Sequence, residues 1–140
     1  GSEGYVKNHF GDKDKKTAEY DKLNVYFNLD NGGGQIRGVH MQDNEKVRTL
    51  FREWLNPFKS WGASTLTLEN TGSTDHVSFD KIGLPAFQFI QDPMDYETKT
   101  HHTNMDVYDR LVLQDVEHNA AIAAYFIYRA AMTDDMIPKK

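Results

Sequence analysis

Six histidines, no cysteine and an excess of acidic over basic residues, 21 against 16, set the chemistry open to this chain. Without thiols, any metal must be held by imidazole and carboxylate. That donor pair suits zinc, iron, nickel or manganese at a catalytic centre. Candidate donors stand in three places. Asp30 opens the run Asp30-Asn31-Gly32-Gly33-Gly34, Asp75 and His76 are adjacent, and so are His101 and His102. No H-E-x-x-H spacing occurs, so a metal site would have to be assembled from distant segments. Each place also has a plainer reading. Asp30-Asn31-Gly32 is a hairpin-type turn signal. Asp75 suits a helix cap with His76 beside it at the surface. His9, His40 and His118 read as surface or satisfied, partly buried histidines.

Other chemistries fit less well. Ser73 precedes Asp75 and His76, but sequence neighbours do not make a triad, and no G-x-S-x-G elbow exists. Gly32-Gly33-Gly34 is followed by no Lys-Ser/Thr pair, so it is not a phosphate loop. No pair of acids stands out as a glycosidase pair.

The elements that must position these groups follow from hydrophobic periodicity. Residues 23–29 alternate Val25, Phe27 and Leu29 against polar neighbours, and a short strand is expected at 35–41. Val47, Leu50, Phe51, Trp54, Leu55 and Phe58 form one apolar stripe, which predicts a core helix over 44–56. Asp43 or Asn44 would cap it, and Pro57 would end it. Strands are expected at 64–68 and 85–90. Residues 92–109 form a long polar stretch without period, of a length usually reserved for function. Leu113–Met132 is the longest helix, expected to be largely buried, with Val116, Ala120, Ala123, Ile127 and Ala130 on one face. Residues 133–140 read as a flexible tail. Three polar clusters thus follow three strands, where ligands bind in open α/β sheets. The expected fold class is α/β, a mixed sheet flanked by helices.

Composition narrows the class further. Apolar residues are 39% and aromatic residues 12%, enough for a globular core. No apolar run reaches the roughly 18 residues of a membrane span. A net charge of -5 without a basic block disfavours nucleic acid as a partner.

The segments Asn28-Leu29-Asp30-Asn31-Gly32, Gly72-Ser73-Thr74-Asp75-His76-Val77-Ser78-Phe79, Gly83-Leu84-Pro85-Ala86 and His101-His102-Thr103-Asn104-Met105-Asp106 occur in this order. Together they resemble the co-catalytic di-zinc exopeptidases, which include bacterial leucyl-type aminopeptidases and plasma glutamate carboxypeptidase-like enzymes. The resemblance implies a mixed sheet flanked by helices and two zinc ions in the complete site. It implies Asp30 as a ligand of one ion and His102 as a ligand of the other, the H-[ST]-x-x-D spacing favouring His102 over His101. Asp106 is the implied acceptor for the second nitrogen of His102. Asp75, His76, Tyr96 and His101 are implied to border the substrate pocket, with residues 92–100 as its wall. That wall has no arginine pair, so glutamate specificity is not carried over.

The resemblance also implies that the general-base glutamate and the remaining ligands lie upstream. Residues 1–140 are then expected to be the C-terminal part of a catalytic domain, inactive alone. The implied partners are a peptide or dipeptide substrate and either a missing N-terminal half or a second copy of the chain. An extracytoplasmic location is suggested by the same resemblance. Two alternatives compete: a non-catalytic binding module of this fold, and a glutaminyl cyclase-like acyltransferase.

Overall fold

The computed structural model describes residues 1–140. Four strands form one mixed sheet: β1 (Tyr26–Asn28), β2 (Ile36–His40), β3 (Thr65–Thr67) and β4 (Ala86–Gln91), in the order β1-β4-β2-β3. β1 runs parallel to β4, β3 parallel to β2, and β2 antiparallel to β4. The helices are α1 (Ser2–Phe10), α2 (Arg48–Leu55), α3 (His76–Asp80) and α4 (Leu113–Met132). The expected α/β class is what the chain adopts.

β4 sits centrally and is covered on both faces, so its apolar run is nearly continuous. Alternation sends successive side chains to opposite faces. Phe27, Phe87 and Phe89 join the larger core with Phe51, Trp54, Ile122 and Phe126 of α2 and α4. Phe126 is its hub, edge-on to Phe27 at 5.6 Å, Trp54 at 5.4 Å and Phe89 at 5.3 Å. Tyr26 and Ala86 face the other way, toward Val6, Phe10 and Phe79 of α1 and α3. β3 approaches β2 so closely that a Cβ on Gly38 would overlap the Thr65 carbonyl.

Several expectations are corrected. The turn after β1 is no hairpin, because β4 lies between β1 and β2. The helix expected over 44–56 is α2 flanked by 3-10 turns at Glu45–Val47 and Asn56–Trp61, the second carrying Pro57. Its stripe is buried as expected except for Leu50, which is partly exposed, and Asn44 does not cap it; the Asn44 amide donates to the Pro138 carbonyl at 2.7 Å. α4 has the expected ends but presents Asp115, Asn119, Ile122, Phe126 and Ala130 inward, leaving Val116 and Ile127 exposed. Asn119 explains the rotation. It accepts from the Ile36 amide at 2.7 Å and donates to the Gly34 carbonyl at 2.9 Å, a carbonyl that Gln91 Nε2 also bonds at 3.1 Å, so the backbone leading into β2 is satisfied by side chains. The segment 133–140, expected to be flexible, lies against the domain: Ile137 is buried and its amide donates to Asn24 Oδ1 at 2.7 Å. No helix is long and apolar enough to cross a membrane.

Candidate active-site cleft

A cleft of about 1070 Å³ opens beyond the ends of β1, β2 and β4. Asp30 and Gly32 enter it from the end of β1, His40 from the end of β2, and Glu69, Thr71 and Ser73 from the segment after β3. Tyr96, His101, His102 and Asp106 enter from the segment after β4. This is the carboxyl-end placement expected of ligand sites in open sheets for β1 and β4; β2 runs antiparallel to β4, so His40 at its carboxyl end stands further along the sheet, opposite Gln88. Asp30, Tyr96, His101 and His102, singled out in the sequence, therefore share one cavity despite lying up to 72 residues apart (102 less 30).

Asp75 and His76 do not. Asp75 stands at the start of α3 without making a side-chain cap and borders a separate hollow with Tyr5, Tyr26 and Phe79. His76, read as a surface residue in the plainer alternative, is fully buried. Its Nε2 lies 3.2 Å from the Thr71 carbonyl, and its Nδ1 has no partner. The same Thr71 carbonyl accepts from Gln42 Nε2 at 3.1 Å, while the Thr71 amide donates to Gln42 Oε1 at 2.8 Å. His76 thus works behind the cleft, anchoring its wall.

Asp30 is held from the same wall. Thr74 Oγ1 donates to Asp30 Oδ2 at 2.6 Å, and Asn28 Nδ2 donates to Thr74 Oγ1 at 2.8 Å. Sequence reasoning gave Thr74 and Asn28 no role; their only signal was their place in the motifs around Asp30 and Asp75. His40 was also missed. It sits at the end of β2 with Nδ1 unpartnered and 3.9 Å from Glu69. Burial pushes the His40 imidazole below its usual pKa, with Glu69 opposing.

The opposite wall is braced by ion pairs. Arg37 holds Asp92 at 2.6 Å, and Arg110 holds Asp95 at 2.9 Å. Lys99 also bonds Asp95, and these cations keep its carboxyl below the ordinary range. Between the braces, Tyr96–Thr100 forms a single π-helical turn; His101 stacks on Tyr96, and the His102 ring lies tilted against that of His101, centroids 4.0 Å apart. The implied bond from His102 to the Asp106 carboxylate is not formed, although both residues line the cleft. Burial, then the charges of Asp30, Glu97 and Asp106, raise the Tyr96 pKa. The cleft is therefore acidic, a field that favours a cation. Ser73, Met94 and His102 line it with left-handed backbone, at φ 64, 51 and 58°. Such strain in residues other than glycine concentrates at functional sites.

The donor types fit zinc, but the set is incomplete. Zinc takes at least three protein ligands, and nowhere do three His, Asp or Glu side chains of this chain converge on one point.

Comparison with known proteins bears on the family and the fold. The family described as Peptidase family M28 matches residues 1–127. Two solved structures share the fold. One, a peptidase M28 precursor from Shewanella amazonensis SB2B, is 22% identical with a TM-score of 0.81 over 100% of this chain. The other, BSAP, a zinc aminopeptidase from Bacillus subtilis, is 22% identical with a TM-score of 0.64 over 93% of this chain. The chain spans 30% and 32% of those two proteins. No curated protein sequence matches it.

Proposed function

The chain belongs to peptidase family M28, and from that membership we propose that it is part of the catalytic domain of a zinc-dependent exopeptidase, with Asp30 and His102 each supplying a ligand to one of two metals. The observation that carries this reading is the convergence of Asp30, His101 and His102 on one acidic cleft. The incomplete ligand set, with the 30% and 32% spans, supports a site completed by residues outside these 140.

When bound, paired zinc ions lower the pKa of a water and polarise the scissile carbonyl. The roles of this chain's own residues follow from their contacts. Asp30 has Oδ2 engaged by Thr74, which steadies the carboxylate and leaves Oδ1 with both lone pairs open to a metal. His102 offers a ring nitrogen from the opposite wall. Tyr96, stacked on His101, and Met94 shape the side against which a substrate residue would lie. No residue of this chain is assigned as general base.

The test has two parts. The purified 140-residue chain, dialysed against micromolar zinc, should retain almost none by elemental mass spectrometry and should hydrolyse no aminoacyl or dipeptide substrate. In the longer protein containing it, Asp30→Ala or His102→Ala should abolish peptidase activity while leaving the circular dichroism spectrum intact. Robust turnover by the 140-residue chain, or near-normal activity of either variant, would overturn the assignment.

A further inference from the structure

Asn28 and Gln88 are paired in register across β1 and β4, on the sheet face that looks toward α1 and α3. Both are buried, Gln88 completely. Two amides in a strand core are costly unless every polar atom is used, and here the bonding runs in one direction. Gln88 Nε2 donates to the Phe89 carbonyl at 3.1 Å, which leaves Gln88 Oε1 facing Asn28. Asn28 must therefore present its Nδ2. That nitrogen donates to Gln88 Oε1 at 2.5 Å and to Thr74 Oγ1 at 2.8 Å. The Tyr26 hydroxyl lies 3.3 Å from Asn28 Oδ1 and holds the other end of the amide.

The consequence falls on Thr74. A hydroxyl has one proton. With a lone pair already taken by Asn28, the proton is free to point at Asp30 Oδ2, 2.6 Å away. Turning the Asn28 amide over would set its oxygen against both Gln88 Oε1 and Thr74 Oγ1. The Thr74 proton would then be drawn back toward Asn28 and away from Asp30. A backbone carbonyl of β4 thus fixes, through Gln88 and Asn28, the direction of the Thr74 proton toward Asp30.

We infer that Asn28 and Gln88 are positioning residues, acting through Thr74 to orient the Asp30 carboxylate for metal binding. The functional part rests on the peptidase reading above; the bonding chain does not. Partners behind a ligand typically change affinity or activity about 10- to 100-fold when lost.

The test separates the two parts. In the metal-free chain, the side-chain amide protons of Asn28 are followed by NMR. Thr74→Val should shift one Asn28 proton signal and speed its exchange, leaving the other in place. Gln88→Met should move the other. Unmoved Asn28 signals in both variants would overturn the chain of bonds, whatever the protein's activity. In the longer, zinc-loaded protein, Asn28→Asp and Thr74→Val should each weaken zinc binding about 10- to 100-fold, measured by chelator competition. The double variant should lie within about threefold of the worse single one, because contacting residues acting through one path are non-additive. Thr74→Ser, which keeps the hydroxyl, should exceed Thr74→Val in kcat/KM by about tenfold. Additive losses would overturn the positioning role. A wild-type protein that binds zinc but cleaves no peptide would overturn the proposed function and leave the zinc and NMR measurements to decide this one.

Discussion

The ring of His101 lies on that of Tyr96, centroids 4.6 Å apart and planes 28° apart, while the His101 amide donates to the Tyr96 carbonyl at 2.9 Å. One residue therefore holds His101 by ring and by backbone, in a stretch whose side chains are mostly exposed. Aromatic contacts of this kind are worth about 0.5–1.5 kcal/mol. Tyr96→Ala should raise amide hydrogen exchange across residues 99–103 about 2- to 10-fold, with exchange in β2 and β4 unchanged. Unaltered exchange at 99–103 would mean that the Asp95 ion pairs alone order the segment.

Asn119 makes a prediction about stability. Its side chain is the partner of the Ile36 amide and the Gly34 carbonyl. Asn119→Leu keeps the volume and removes both bonds. The Gly34 carbonyl keeps its bond from Gln91 Nε2, but the Ile36 amide is orphaned; an orphaned buried group costs about 1–3 kcal/mol, so the urea midpoint should fall by the equivalent of about 1–3 kcal/mol. A loss below about 0.5 kcal/mol, within the range of ordinary surface substitutions, would show that the β2 backbone finds water instead.

That same residue marks where sequence reading reached its limit. The ends of α4 were legible because apolar periodicity runs from Leu113 to Met132. Its orientation was not, since Asn119 faces inward for bonds to the Ile36 amide and the Gly34 carbonyl, which hydropathy cannot encode. The glycine-rich turn after Asp30 carries hairpin chemistry, yet the insertion of β4 between β1 and β2 is a long-range event. In the cleft, Asp30, Tyr96, His101 and His102 were found by residue type and motif. Asp75 and His76 were grouped with them by motif, though the structure turns both away from the cavity. Asn28, Thr74 and Gln88 are neutral polar residues whose value lies in mutual distance, and spacing along the chain says nothing of that.

The terminal segment offers a second stability test. Ile137 is buried, and Asn24 and Asn44 bond to the backbone of 137 and 138. Burial of one such side chain is worth about 1.5–3 kcal/mol. Removing residues 134–140 should therefore lower stability by about 2–4 kcal/mol, the two exposed amides adding to the lost burial. Calorimetry or urea unfolding would measure it; an unchanged midpoint would restore the expectation of a flexible tail.

Buried His76 and partly buried His40 predict how stability depends on pH. Burial holds His76 below its usual pKa, and the Thr71 carbonyl and the charges of Asp80 and Asp75 only partly oppose this; His40 adds to the depression. His40 is shifted the same way by its own burial. Both are thus more readily protonated in the unfolded chain, whose histidines titrate near 6.5. The unfolded state then binds more protons as pH falls, so stability present above about pH 6.5 is lost below it. Urea midpoints measured from pH 7.5 to 5 should show this fall in the wild type. His76→Gln, which keeps a donor for Thr71, should show a shallower fall, and a further change at His40 a shallower one still. Equal slopes in the wild type and His76→Gln would mean that His76 is not the group whose protonation weakens the cleft wall at Thr71, and that carboxylates govern acid sensitivity instead.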